Sequence, residues 1–255
     1  MCLCVFSYKN HSEYRLILAF NRDEFLARPT REAHFWEDKP EILAGRDLKQ
    51  GGTWLGVNQK GWIALLTNYR DLRNLKDAAP SRGELTTRFL AGRKAPFNYL
   101  ETIQKPWFYN GFNLIVGDME DLYYYSNVKG EISKIEPGIH GISNHLLDSD
   151  WEKVKNKKRE LSELIKGDFE VEDIFRLMSD RAEASGGNIP DTGLQPELEQ
   201  KLSAPFIVLP DYGTVSTTVV LIKHSREVIF YEKKFGMQGK LLTESDFEIV
   251  MQNSV

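Results

Sequence analysis

Cysteine is nearly absent from this chain of 255 residues, which has two, Cys2 and Cys4. Two residues apart on a strand, their side chains share a face. So close a pair is a poor structural disulfide, and a reducing compartment, the cytosol, is the expectation. Long hydrophobic runs are absent too: nothing approaches the ~20 apolar residues that span a bilayer. Leu3–Phe6 is too short for a secretory signal core and is soon followed by His11, Glu13 and Arg15. The expectation is a cytoplasmic protein with no membrane span. There is no excess of positive charge; a net charge of -4 argues against a dedicated nucleic-acid surface. The one basic stretch, Lys153 to Arg159, follows a helical pattern and reads as a solvated face. The five histidines, His11, His34, His140, His145 and His224, lack metal-ligand spacing. No Cys-x-x-Cys-His segment offers covalent haem attachment. Gly51-Gly52-Thr53-Trp54 lacks the lysine and following helix of a phosphate loop, so it reads as a tight turn into a strand, with Trp54 in the core or in a site wall. No metal or cofactor is expected from these patterns. Internal repeats and low-complexity segments are also missing.

What is present is 41% apolar residues, enough for a sizeable core, and we read residues 1–255 as one domain. Residues 2–7 and 14–21 are rich in Val, Ile, Leu, Phe and Tyr and read as strands around a polar turn at Lys9–Glu13. Residues 53–57 and 62–67 form a hairpin about Asn58-Gln59-Lys60-Gly61. Ser81-Arg82-Gly83-Glu84 reads as a capping box ahead of a helix to about Leu90, and Pro96 opens a second helix that ends before Pro106. Residues 112–117 and 122–126 make another hairpin, followed by short strands at 132–135 and 139–143. Trp151, Val154, Leu161 and Ile165 fall on helical spacing, and 171–178 reads as the next helix. Residues 185–195 read as an exposed loop, and strands at 206–209, 215–222 and 228–232 close the chain. Hairpins instead of regular strand–helix alternation favour α+β layering with largely antiparallel sheets. Two sheets between helix layers and one large sheet both fit the pattern.

Cys2 stands immediately behind Met1. Removal of Met1 leaves a thiol and a free α-amine on one residue, a nucleophile beside its own base. The competing reading of Cys2 is a small buried residue opening a strand. Asn21-Arg22-Asp23-Glu24 ends the second strand, which returns beside the first and can bring Arg22 or Asp23 close to Cys2. A guanidinium there favours thiolate, and a carboxylate can orient the amine. Arg46 and Asp47 read either as a binding pair or as an ordinary surface ion pair.

The run Asn21-Arg22-Asp23-Glu24 with Arg28-Pro29 resembles the NRDE family, also called the transport and Golgi organisation 2 family. Ala44-Gly45-Arg46-Asp47, Gly51-Gly52-Thr53-Trp54-Leu55-Gly56 and Leu66-Thr67-Asn68-Tyr69 continue the resemblance. Arg82-Gly83-Glu84-Leu85, Tyr109-Asn110-Gly111-Phe112-Asn113-Leu114 and Gly141-Ile142-Ser143-Asn144 extend it to about residue 150. That family in turn resembles the cysteine N-terminal-nucleophile (Ntn) hydrolases, including penicillin V acylases and bile salt hydrolases. The resemblance implies a four-layer αββα sandwich. It implies Cys2 as nucleophile, Arg22 and Asp23 beside it, and Asn68 and Asn144 as asparagines of an oxyanion hole. An asparagine NH₂ aimed at a developing oxyanion supplies ~3 kcal/mol of transition-state stabilisation. Asn68 as a turn cap and Asn144 as a helix N-cap are the competing readings. Two positions depart from the acylases. Their aspartate sits further past the arginine, where this chain has Phe25, and their late arginine has no counterpart in 215–222, Arg226 lying in the following turn.

Two functions follow. One is Cys2-dependent hydrolysis of a carbon–nitrogen amide bond in a small acyl-amide. The alternative is a non-catalytic binding or trafficking protein for a hydrophobic ligand such as haem or an acyl-CoA lipid, suggested by the resembled family and by Trp36, Trp54, Trp62 and Trp107.

Overall fold

The computed structural model describes residues 2–184 and 189–251. The chain opens with β1 (Cys2–Tyr8), β2 (Tyr14–Phe25), β3 (Thr30–Trp36), β4 (Lys39–Asp47), β5 (Leu55–Asn58) and β6 (Ile63–Asn68). Helices α1 (Gly83–Leu90) and α2 (Pro96–Glu101) follow, then β7 (Phe112–Gly117), β8 (Leu122–Ser126), β9 (Glu131–Lys134) and β10 (Gly138–Ile142). The last part holds α3 (Glu152–Leu164), α4 (Val171–Met178), α5 (Pro196–Lys201), β11 (Tyr212–Lys223), β12 (Glu227–Phe235) and β13 (Leu241–Val250).

The strands form two sheets, not one. Their orders are β10-β1-β2-β11-β12-β13 and β3-β4-β5-β6-β7-β8-β9, and every pairing is antiparallel. Strand alternation sorts the side chains into layers. Cys4, Phe6 and Leu18 of the first sheet meet Leu55, Leu65 and Ile115 of the second in the central core. On the outer face of the first sheet, Leu3, Val5, Ile17 and Ala19 pack under Val154 and Leu161 of α3 and Ile174 and Phe175 of α4. On the outer face of the second, Ala64, Leu66 and Val116 lie under Leu85 and Phe89 of α1 and Leu100 of α2. Helix, sheet, sheet, helix: this is the αββα sandwich.

Several sequence expectations are corrected. The Ser81–Glu84 capping box does not form: α1 starts from Arg82 with no side-chain cap, and Glu84 instead accepts from the Tyr109 hydroxyl and pairs with Arg88. A capping box does occur at α4, where Glu170 and Asp173 cap reciprocally. Residues 206–209 contribute only an isolated bridge, Val208 to Gly213. The expected exposed loop 185–195 lies partly outside the described residues; within it Thr192 is buried, held by Glu199. Lys153 and Lys157 are buried, so the basic stretch is not simply a solvated face. Strands β3, β4 and β13 and helix α5 have no counterpart in the sequence reading.

Candidate active site

Cys2 lies in the interior of the first sheet, with β1 hydrogen-bonded between β10 and β2. The register puts Cys2 opposite Arg22 and Arg22 opposite Ser216, so all three side chains leave on the inter-sheet face. At that end the two sheets part over a cleft of about 240 Å³ whose lining includes Cys2, Arg22, Asp23, Trp54, Asn68 and Arg82. The Cys2 side is 7% exposed. Burial pushes its thiol above the usual range; the Asp23 carboxylate adds to the rise and Arg22 opposes it. The resting group is therefore a thiol, and attack requires a base.

Main-chain bonds fix Cys2 in place. Its N–H donates to Asn144 Oδ1 at 3.4 Å, and its carbonyl accepts from Ser143 Oγ at 2.8 Å. Asn144 donates from Nδ2 to the main-chain carbonyl of Asn68 at 2.9 Å, and its own carbonyl accepts from the Arg70 N–H. The loop after β10 is thus laced to the end of β6, tying the two sheets together beside the thiol. Asn144 caps no helix: α3 starts from Trp151. Asn144 is fully buried against Cys2, whereas Asn68 lines the cleft and its side chain makes no hydrogen bond among the described residues.

Arg22 stacks on Trp54, its guanidinium carbon 4.0 Å from the ring centroid. Nη1 donates to Thr30 Oγ1 at 3.2 Å, and Nη2 lies 3.6 Å from Glu24 Oε2. Trp54 is therefore a site wall as much as core. Asp23 accepts from Thr214 Oγ1 at 2.7 Å, and its carbonyl accepts from the Tyr212 hydroxyl. Burial raises the Asp23 pKa, while Lys153, the Thr214 hydroxyl and Arg22 pull it down. Phe25, at the place of the acylase aspartate, points to solvent against Tyr212. Arg226 is no late arginine for this site: it sits in the β11–β12 turn, at the end of β11 where Ile222 pairs with Leu16, far from the Ser216–Arg22 end. Arg46 pairs with Asp38, whereas Asp47 lines the cleft and pairs with Arg28 at 2.5 Å.

Sequence reasoning missed two cations. Lys153 is fully buried beneath the sheet; its Nζ donates to the Leu202 carbonyl at 2.9 Å, and burial brings its pKa down to about 8, with Asp23 and Cys2 opposing the fall. A signal was present, since Lys153, Lys157 and Leu161 share the apolar stripe of α3 at four-residue spacing. Arg82 stands at the mouth of α1, which Gly52 allows to come close: a Cβ there would lie 2.5 Å from the Gly83 carbonyl carbon. Thr86 Oγ1 and the Thr53 N–H close the same joint. Among the described residues no cluster of three or more His, Cys, Asp or Glu side chains is arranged to hold a metal ion.

The fold is that of Ntn-hydrolase-like proteins. A Caenorhabditis elegans ortholog of N-acylethanolamine-hydrolyzing acid amidase superposes with a TM-score of 0.50 at 9% identity, over 86% of this chain and 92% of that one. A mutant conjugated bile acid hydrolase from Clostridium perfringens superposes with a TM-score of 0.53 at 9% identity, over 100% and 95%. The chain belongs to the transport and Golgi organisation 2 family, whose profile matches residues 1–237. It is 36% identical to the Homo sapiens transport and Golgi organization protein 2 homolog and 35% to that of Bos taurus, each over 91% of this chain and 92% of the relative. The Drosophila melanogaster transport and Golgi organization protein 2 is 27% identical over 97% and 99%.

Proposed function

We propose that this protein hydrolyses a carbon–nitrogen amide bond of a small acyl-amide, with Cys2 as an N-terminal nucleophile. The observation that carries the reading is Cys2 itself: a thiol in mid-sheet, at the wall of a cleft, with its main-chain nitrogen held by Asn144. Once Met1 is removed, that nitrogen is the α-amine. It takes the thiol proton, and the thiolate attacks the amide carbonyl carbon. The oxyanion that develops is received by the Asn68 amide. The C–N bond then breaks, the amine leaves with the proton, and water hydrolyses the resulting thioester. Arg22 favours the thiolate, Asp23 orients the ammonium, and Asn144 aims the amine without touching the oxyanion. Two free buried thiols, Cys2 and Cys4, suit a reducing compartment such as the cytosol, and no helix among the described residues is long and apolar enough to cross a membrane.

The test begins with the mass of the mature protein, which must lack Met1. Against a panel of small acyl-amides, Cys2→Ala should lower turnover by about 10⁴-fold or more. A retained Met1, or unchanged turnover in Cys2→Ala, removes the reading.

A second pocket favours the carrier reading. It measures about 340 Å³, shares Trp54 and Arg28 with the cleft, and is lined by Leu26, Val215, Phe235 and Leu242 together with the charged Arg31, Glu32, Glu232 and Lys234. The apolar part of a ligand such as haem or an acyl-CoA lipid would lodge there without needing the thiol. Saturable haem or acyl-CoA binding retained in Cys2→Ala supports this second reading; no saturable binding at micromolar ligand ends it.

A further inference from the structure

The charges around the cleft do not cancel evenly. Arg28 faces Asp47 at 2.5 Å and Glu24 at 3.6 Å. Arg22 faces Glu24 and rests on Trp54. The Asp23 carboxylate reaches Thr214. Each cleft carboxylate is thus engaged, and two of the three arginines have acidic partners. Arg82 has none among the described residues. Its Nη1 donates to the Gly111 carbonyl at 2.9 Å, and the rest of its donor fork is left over beside the cleft.

A partly desolvated guanidinium with no carboxylate at ion-pair distance is a costly arrangement, and an anion arriving there removes that cost. Burial already lowers the Arg82 pKa, and Arg82 and Cys2 line the same cleft. The neutral neighbours suit the same guest, since Asn68 and Ser81 line the cleft and their side chains make no hydrogen bond among the described residues. Size adds a limit: about 240 Å³ falls below the ~300–1,000 Å³ that takes in drug-sized ligands. The planar fork of arginine matches a carboxylate with two parallel hydrogen bonds.

We infer that Arg82 is a specificity residue that binds a carboxylate on the ligand, so that the cleft selects small acyl-amides carrying an acid group near the scissile bond. The inference rests on the hydrolase reading for that bond, though the anion contact does not depend on turnover. The carboxylate lies against Arg82, and the amide carbonyl between Cys2 and Asn68.

The experiment separates the two. Calorimetric titrations of Cys2→Ala protein compare N-acetylglycine with N-acetylglycinamide, and succinamate with succinamide, which place the acid on the amine side and on the acyl side in turn. At least one carboxylate should bind about tenfold tighter than its neutral amide, a difference of about 1.4 kcal/mol. Adding Arg82→Met should bring that ratio close to unity, and Arg82→Lys should keep part of it; thermal melts report folding, and Arg82→Gln replaces the methionine variant if that one does not fold. Equal affinity for acid and amide overturns the inference. So does a preference that survives Arg82→Met, or the absence of saturable millimolar binding by both acids. An Arg82-dependent preference without turnover in the Cys2-containing protein leaves the inference standing and removes the hydrolase reading. Turnover of neutral amides with no acid preference does the reverse.

Discussion

At the scale of single residues, the buried Lys153 has the most to say about how Cys2 is set. Its ammonium sits under the sheet within electrostatic reach of Asp23 and Cys2, and burial holds its pKa near 8. Below that pH it is a cation that helps keep Asp23 ionised; Asp23 would otherwise be driven further up by its own burial. Lys153→Met should therefore move the acid limb of the kcat profile to higher pH and lower kcat about tenfold, with KM nearly unchanged, because the lysine touches no part of the cleft. A steady-state pH series measures this, and an unshifted acid limb would count against the role. Legibility at this scale was uneven. Two strands and a short turn were enough to bring Arg22 or Asp23 near Cys2, and the register of the fold is what sets Arg22 opposite it. Lys153 was hidden because a lysine among lysines and glutamates reads as solvent-facing, and only its position on the apolar stripe told otherwise. Arg82 stood in a recognised block, but its missing partner is a three-dimensional fact.

At the scale of elements, the joint between the loop before β5 and the start of α1 decides where Arg82 stands. Gly52 and Gly83 touch backbone to backbone, and Thr86 donates to the Thr53 carbonyl across the same contact. Gly52→Ala puts a methyl into the Gly83 backbone, which cannot move aside as a flexible side chain would. We expect a loss of about 1–3 kcal/mol in urea denaturation, together with weakened binding at the cleft as α1 is pushed away. A variant as stable as the parent would show that the helix start is free to shift. Helix α3 was legible from apolar spacing and α2 from the position of Pro96; α4 was read at its observed bounds, and α1 was found through its capping-box pattern. The capping box before α1 was a false signal because the loop, held by Thr53 and Gly83, enters the helix one residue later. Strands β3 and β4 were missed since each carries charges and half-buried positions; Arg31 of β3 and Arg46 of β4 pair on the surface with Glu37 and Asp38 of the turn between them. In β13 most positions are exposed and only Phe247 and Ile249 reach the central core.

At the scale of the whole molecule, Glu232 links the two sheets. From β12 its Oε1 accepts the Ala33 N–H of β3 at 2.7 Å, while Oε2 accepts from Thr218 at 3.2 Å. Burial raises its pKa from 4.5 to about 7. The folded state therefore holds a proton that the unfolded chain has already released. The stabilisation is fully present below about pH 4.5 and is lost as pH rises to about 7, by an amount on the order of 3 kcal/mol for such a shift. Glu232→Gln keeps an acceptor for Ala33 and an amide donor for Thr218, yet cannot ionise. It should flatten the fall in stability between pH 5 and 7 and be the more stable protein at pH 8, as read by denaturation midpoints. An equal slope in both proteins would rule Glu232 out as its source. A pattern of hairpins could not show that the strands divide into two sheets, because that depends on which strands neighbour one another across long connections such as β2 to β11. The family resemblance supplied that division.

The position of β1 has a practical consequence for anyone producing this protein. Cys2 begins an interior strand, walled in by Asn144, Ser143 and Arg22. An affinity tag fused ahead of it converts the α-amine into a peptide amide that cannot accept a proton, and threads extra chain past the cleft. If Cys2 is the N-terminal nucleophile proposed above, assays on amino-terminally tagged material would find no turnover even in a competent enzyme, so the tag belongs at the other end.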